Sequence, residues 1–352
     1  MAGMGSDARM GTGGSATAAP RPLVGRFAPS PTGSLHVGNL RTALVSWCAT
    51  CDSDPSGIAG PSGIGGRWLV RMEDLDPVTS SREHEVGQLD HLARLGLVPD
   101  GEVVRQSDRF AFYRDAIDRL RRADLVYPCY CTRREIREAA SAPHGDGLPD
   151  GAYPGTCREL TDAGRQEFER EGRRAALRLR TSGERYSFCD LVVGEVTGGV
   201  DDVVLQRNDG VPAYNLAVVV DDHLQGVNQV VRGDDLAAST PRQLHLQALL
   251  GFPAPTYAHV PLVVGPDGGR LAKRHGAVTL DDLAALGIID AAVVAMLARS
   301  LGVELSDRGR GGEMSVLVDE LAARFSFDRL PREPWMFDPE AILRRSRGDL
   351  PR

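Results

Sequence analysis

The segment from Leu23 to Cys48 restricts the possible folds of this chain more than any other. Leu23-Val24-Gly25-Arg26-Phe27 reads as a short apolar strand. Pro29 and Pro31 end it, because proline cannot donate to a sheet ladder. A turn punctuated by Gly33 and Gly38 follows and runs into the apolar helical stretch Leu40 to Cys48. Strand, Gly-rich turn and helix in that order form a phosphate-type cradle. The two glycines let backbone approach a nucleotide, and His36 stands at a helix start, where negative charge is favoured.

The rest of the chain repeats the alternation. Trp68 to Met72 reads as a buried strand ending in Glu73-Asp74-Leu75-Asp76. Ser80-Ser81-Arg82-Glu83 carries a capping-box pattern, and Val86, Leu89, Ala93 and Leu95 recur at helical spacing behind it. Phe110 to Leu125 is amphipathic. Ala176–Arg180, Asp202–Gln206 and Val227–Arg232 read as further strands, and a helix starts at Ser239-Thr240-Pro241 and stops at Gly251. Strands separated by helices predict an α/β fold with a mainly parallel sheet. Residues 1–22 lack the apolar core of a signal peptide and read as a disordered leader, and residues 52–66 read as a loop. No apolar run approaches the roughly 20 residues of a membrane-spanning helix. The formal charge of -7, from 41 basic and 48 acidic side chains, argues against a DNA-coating protein but leaves room for a local basic groove. Six cysteines in 352 residues do not make a disulfide scaffold.

The run Arg26-Phe27-Ala28-Pro29-Ser30-Pro31-Thr32-Gly33-Ser34-Leu35-His36-Val37-Gly38-Asn39-Leu40-Arg41-Thr42-Ala43-Leu44 closely resembles the HIGH region of class I glutamyl-tRNA synthetases. Arg270-Leu271-Ala272-Lys273-Arg274-His275-Gly276, after Val260-Pro261-Leu262-Val263, resembles their KMSKS loop. The resemblance implies a Rossmann-type parallel sheet, with ATP, accompanied by Mg²⁺, held by His36, Gly38 and Lys273. His36 and Lys273 are the catalytic pair it implies, since displacement at phosphorus is helped by positioning and by cations on the phosphates. For L-glutamate it implies Arg26, Phe27, Ala28, Pro29 and Ser30, with Glu73 for the α-amino group and Tyr214 and Arg232 in the same pocket. A bidentate Arg suits a free carboxylate and discriminates against a neutral amide. In this context Arg232-Gly233-Asp234 reads as pocket rather than adhesion motif.

Between about 128 and 165 the helical period breaks, and Cys129, Cys131 and Cys157 stand among Pro and Gly. Three thiols and a nearby fourth donor suit one structural zinc ion. His144 and Tyr153 both stand near enough in sequence to be the fourth ligand. The resemblance favours Tyr153, through the Tyr153-Pro154-Gly155-Thr156-Cys157 spacing. Cys48 and Cys51 read as thiols on an apolar helix, and Cys189 as a core residue.

The resemblance covers about residues 24–305, divided into two halves of a catalytic domain (23–127 and 166–255), a zinc-binding insertion (128–165) and a KMSKS and stem-contact region (256–305). Residues 306–352 read as a small helical extension without an anticodon-binding domain. That layout resembles the shortened glutamyl-queuosine tRNA(Asp) synthetases. So does Val218, where tRNA-charging relatives usually carry Asn, a change expected to remove a polar contact to glutamate. The implied activity is tRNA-independent formation of glutamyl-adenylate and transfer to queuosine in the anticodon stem-loop of tRNA(Asp), by a cytoplasmic monomer with no membrane partner. A truncated synthetase charging tRNA(Glu) and a non-catalytic tRNA- or zinc-binding fragment are the alternatives. Asn39 for the final His of HIGH, and Ala272 for the Ser of the loop, depart from the pattern.

Overall fold

A computed structural model of the chain describes residues 22–51, 66–139, 148, 151–271, 275–276, 278–306 and 313–340. Lys273 and His144, the leader up to residue 21 and residues 52–65 of the expected loop lie outside them. The first half of the described chain runs β1 (Val24–Phe27), α1 (Val37–Cys51), β2 (Arg67–Met72), α2 (Arg82–Arg94), β3 (Val104–Arg105), α3 (Phe110–Arg122), β4 (Val126–Cys129), α4 (Arg133–Ala139) and α5 (Asp162–Arg170). It continues through β5 (Ala176–Leu179), β6 (Arg185–Asp190), β7 (Gly194–Gly199), β8 (Val204–Gln206), α6 (Tyr214–Leu224), β9 (Gln229–Gly233) and α7 (Thr240–Leu250). The remainder is β10 (Thr256–Val260), β11 (Val263–Val264), α8 (Leu280–Ala285), α9 (Asp290–Ser300), α10 (Met314–Arg324) and β12 (Trp335–Met336).

Strands β1, β2 and β3 pair in parallel, and β9 pairs in parallel with β10. The two sets meet where β9 lies beside β1, with Asn228 N donating to Val24 O and the Asn228 side chain accepting from Val24 N. The chain therefore leaves β1 toward β2 on one side and returns to β9 on the other. At such a switch point loops diverge from the strand ends and leave a crevice. Helix α1 seals one face: Leu40, Ala43, Leu44, Trp47 and Cys48 are buried. Gly25 is needed there, since a Cβ on it would stand 2.4 Å from the Thr50 methyl. Arg41, also buried, bonds Ser300 Oγ and the carbonyls of Pro261 and Ser300, fixing α1 to α9.

A second, antiparallel sheet (β4-β5-β8) and a hairpin (β6-β7) stand between the two halves. Pairing of Val126–Cys129 with Ala176–Leu179 carries this sheet across both ends of the 128–165 segment. Helix α7 begins and ends as read: Pro241 occupies its first turn, and Gly251 closes it in the left-handed conformation.

Three local readings need correction. The cap of α2 is Ser81, whose side chain accepts from His84 N, so the register of the expected Ser80–Glu83 box is shifted by one residue. The buried face of α2 is Glu85, Gln88, His91 and Leu92, while Val86 is 66% exposed. Polar partners on neighbouring elements outweigh the apolar spacing: Glu85 pairs with Arg105, and His91 with Asp281. Cys189 is exposed rather than core, because alternation along β6 turns Phe188 and Asp190 inward and the thiol outward. Cys48 is buried and Cys51 partly so, in keeping with ordinary helix thiols.

Candidate active site

The crevice is a cleft of about 620 Å³ whose walls come from the end of β1, the Pro-rich turn, the start of α1, and the ends of β2 and β9. Arg26, Phe27, Ala28, Pro29, Ser30, His36, Gly38, Glu73, Tyr214 and Arg232 all line it. Val218 does not; it is buried in a core cluster with Leu216, Ala217 and Val219. The apolar side chain at 218 serves packing, one turn along α6 from Tyr214.

The Pro-rich turn is pinned from behind. Pro29 O accepts from Glu73 N, Pro31 O from Ser81 N, and the Gln88 amide donates to both Ser30 O (2.9 Å) and Gly33 O (2.7 Å). With four carbonyls so held, the turn keeps one shape and leaves the exposed Ser30 side chain at the cleft. Gly33 has open space where a Cβ would be, as a site for close approach requires. Gly38 is different: a Cβ there would press on the His36 ring at 2.9 Å and on Val263.

His36 and Asn39 close a reciprocal pair. His36 N donates to Asn39 Oδ1, and Asn39 N donates to His36 Nδ1. Asn39, a departure from the resembled motif, thus caps the turn. An accepting Nδ1 leaves the proton of the neutral ring on Nε2. The ring is neutral in the ordinary pH range because burial, and then the charge of Arg270, lower its pKa to about 4.

The residues flanking the second motif are held beside this turn, where Val263 lies against Gly38. Leu271 N donates to Val263 O, and Val278 O accepts from Val37 N beside His36. Lys273, between them in sequence, lies outside the described residues.

Beneath the cleft runs a buried charge network. Asp222, on α6, accepts from Arg71 at 2.7 Å and from Arg26 at 3.3 Å, while Arg71 also reaches Glu73 at 3.4 Å. Asp221 accepts from Gln106, Arg109 and Tyr113. Burial pushes the Glu73 carboxyl up, and Arg71 and Arg26 only partly offset that rise. Asp222 is held below the usual carboxylate range, its burial outweighed by Arg71 and Arg26. Burial next to Glu73 raises the Tyr214 hydroxyl, which stays protonated and able to donate. Arg232, only 5% exposed, is held by His259 Nε2, Gln243 Oε1 and Thr240 Oγ1. Sequence reasoning missed Gln88, Asp190, Asp222 and His259. The Asp pair closing Val218-Val219-Val220-Asp221-Asp222 was a visible signal, since two carboxylates ending an apolar helix need buried partners.

Far from the cleft, Cys129, Cys131 and Cys157 place their sulfurs within 4.8 Å of one another. Tyr153 Oη is 3.3 Å from Cys129 Sγ and 3.5 Å from Cys131 Sγ, and accepts from Cys157 N. A zinc tetrahedron with bonds of about 2.3 Å has edges of about 3.8 Å, so the donor set fits. Hydrogen bonds from Cys131 and Cys157 hold the Cys129 thiol well below its ordinary value. No helix among the described residues is long and apolar enough to cross a membrane.

Comparison with known proteins agrees with this geometry. The family described as tRNA synthetases class I (E and Q), catalytic domain, matches residues 22–344. A protein of Nocardia farcinica named glutamyl-Q tRNA(Asp) synthetase is 52% identical over 92% of this chain and 95% of its own length. A glutamate–tRNA ligase of Oleidesulfovibrio alaskensis is 40% identical over 91% of this chain and 64% of its own. The fold is also that of a glutamate tRNA ligase from Elizabethkingia meningosepticum, solved with its amino acid, at a TM-score of 0.72 and 24% identity over 94% of this chain and 70% of that one. With one family matched across nearly its whole length, the chain belongs to the class I tRNA synthetases of the E and Q type.

Proposed function

We propose that the cleft activates L-glutamate with ATP, accompanied by Mg²⁺ and without tRNA, and passes the glutamyl group to queuosine in the anticodon of tRNA(Asp). Membership of the family makes the chain a ligase. The observation that carries the choice of glutamate is the sign pattern of the inner wall, where Arg26 and Arg232 stand with Glu73. At the cleft surface two guanidiniums and one carboxylate are the inverse of glutamate's two carboxylates and one ammonium, with Asp222 and Arg71 balancing each other beneath them. Glutamine, with one carboxylate replaced by an amide, leaves one guanidinium without a charge to face.

The roles follow. Glu73 takes the α-ammonium, Arg26 and Arg232 hold the carboxylates, and Ser30 and Tyr214 donate to oxygens at the rim. Phe27, Ala28 and Pro29 shape the wall. An oxygen of the α-carboxylate attacks the α-phosphorus of ATP, and pyrophosphate leaves. His36 Nε2–H donates to phosphate oxygens, Gly38 lets the nucleotide approach, and Lys273 offsets the charge that grows on the leaving group. A ring hydroxyl of queuosine then attacks the acyl carbonyl, and AMP leaves. That cyclopentenediol offers a vicinal cis-diol like the terminal ribose that class I synthetases esterify. The name borne by the Nocardia farcinica relative supports this acceptor. Cys129, Cys131, Tyr153 and Cys157 would hold zinc, which when bound cross-links a segment with little core of its own. A cytoplasmic monomer fits this work, and the segments set out above as catalytic halves, insertion and extension are its proposed organisation.

The test is labelled glutamate offered with ATP to tRNA(Asp) carrying queuosine and to the same tRNA with guanine at that position. An alkali-labile label on the first and none on the second is the expected result. Comparable charging of the 3′ end of tRNA(Glu) overturns the acceptor and leaves a tRNA(Glu)-charging synthetase. No pyrophosphate exchange with glutamate overturns the enzyme reading in favour of a tRNA- or zinc-binding role.

A further inference from the structure

We infer that Asp190 and His259 are positioning residues that lock Arg232 in its binding orientation by dictating which nitrogen of the His259 ring carries the proton. This rests on Arg232 holding a carboxylate of the substrate.

Both side chains are fully buried, Asp190 at the end of β6 and His259 on β10 beside Arg232 of β9. Arg232 Nε donates to His259 Nε2 at 3.0 Å. A guanidinium always carries that proton, so His259 Nε2 must present a lone pair. On the other side, His259 Nδ1 is 2.6 Å from Asp190 Oδ2. Asp190 also accepts from the backbone N–H groups of Val192, Val193 and His259, an environment of donors that keeps it ionised. A carboxylate there can only accept, so the ring proton sits on Nδ1 and the ring is neutral. Thr240 Oγ1, 3.2 Å from Nε2, accepts from Arg232 and donates to Leu236 O, so the Arg232 Nε–H is the contact that fixes the ring nitrogen.

The consequence for Arg232 is one of counting. A guanidinium has five N–H bonds. His259, Gln243 and Thr240 take one on Nε and one on each terminal nitrogen. Two remain, one on each terminal nitrogen, and a carboxylate has two oxygens to receive them. All three holding partners are neutral, so Arg232 stays both fixed and unneutralised by direct contact.

The informative substitution is Asp190→Asn. Three backbone donors face the Oδ1 position, so the new amide must keep its oxygen there and turn its nitrogen toward His259. That nitrogen donates to Nδ1 and forces the ring proton onto Nε2, where it meets the Arg232 Nε–H head on. The expected result is a glutamate KM for pyrophosphate exchange raised about tenfold to hundredfold, the equivalent of one hydrogen bond to a charged group. The ATP KM and kcat should stay within about threefold. Nitrogen NMR should show His259 protonated on Nδ1 in the parent and on Nε2 in the variant. His259→Gln supplies an oxygen to Arg232 without a tautomer, so Asp190→Asn should add little further loss in that background. Independent, multiplicative effects, an unchanged tautomer or an unchanged glutamate KM in Asp190→Asn would each overturn the inference. Arg232→Lys separates the two readings. If it leaves the glutamate KM unchanged, the assignment of Arg232 to substrate falls; if it raises KM while Asp190→Asn is silent, only the positioning role falls.

Discussion

Gln88 offers a test in which two replacements of similar purpose should differ in a definite order. Its amide is buried and donates both hydrogens forward, to Ser30 O at 2.9 Å and Gly33 O at 2.7 Å. Those carbonyls accept, so the amide cannot be turned over. Gln88→Ala removes two neutral hydrogen bonds, each worth about 0.5–1.5 kcal/mol net. The two together are worth about 1–3 kcal/mol, a loss of several degrees in melting temperature for a protein of this size. Water from the cleft can partly replace the amide, and the turn then samples more than one shape. If about 1 kcal/mol of re-ordering is carried by substrate binding, the glutamate KM for pyrophosphate exchange rises about fivefold. Gln88→Glu keeps the length and shape of the side chain, yet it should be worse. One of its carboxylate oxygens takes the place of the amide nitrogen and faces two carbonyl oxygens at hydrogen-bond distance, with no donor between them, in a place where a charge is costly to bury. Melting temperature and glutamate KM should therefore rank the parent first, Gln88→Ala second and Gln88→Glu last. If Gln88→Glu matches the parent, or sits above Gln88→Ala, the turn is not held from α2 and the reasoning fails.

Three further outcomes are expected. Lys273→Ala should slow pyrophosphate exchange by roughly 10²–10³ while changing the glutamate KM little, because its charge is needed where negative charge builds up on the phosphates; near-full exchange would remove the loop assignment. Elemental analysis of protein purified without chelator should find one zinc per chain, lost with Cys129→Ser, and a metal-free protein with an unaltered melting temperature would reduce the cluster to buried thiols. His36, held at about 4, should stay neutral from pH 5 to 8 and contribute no step to the exchange rate in that range. Its folded value lies below the ordinary 6.5, so its contribution to stability is full above that pH and is lost as pH falls toward 4. An NMR titration placing His36 above 6.5 would contradict the burial argument.

What could be read from the sequence was whatever local spacing encodes. The β1-turn-α1 unit and the start and stop of α7 rest on contiguous motifs; the grouping of Arg26, Glu73, Tyr214 and Arg232 came from the family resemblance, and the fold brings those four to one cleft. Helix α2 defeated the same method. Its inward side chains are Glu85, Gln88 and His91, and their partners come from Arg105, the Pro-rich turn and Asp281. Apolar periodicity carries no information about such distant polar partners. Asp190 and His259 were invisible for a related reason: one buried Asp and one buried His, 69 residues apart, have no joint signature until β6 and β10 are placed together. Cys189 failed on simple alternation, where a two-residue period decides which neighbour faces water.

Asp222 also sets a schedule for how the chain comes together. Its two arginine partners lie 196 and 151 residues earlier, on β1 and β2. At about 5–20 residues per second of synthesis, Arg26 waits about 10–40 s for its carboxylate to be made. Until then Arg71 has Glu73 beside it, but Arg26 lacks the carboxylate it pairs with, so burying its guanidinium is costly and the floor beneath β1 stays hydrated. The edge of β1 is therefore costly to bury early, and β9, made after Asp222, is the strand that covers it. Loop closure over such a separation is slow, which makes formation of the Arg26–Asp222–Arg71 bridge a natural late step in folding and its rupture an early one in unfolding.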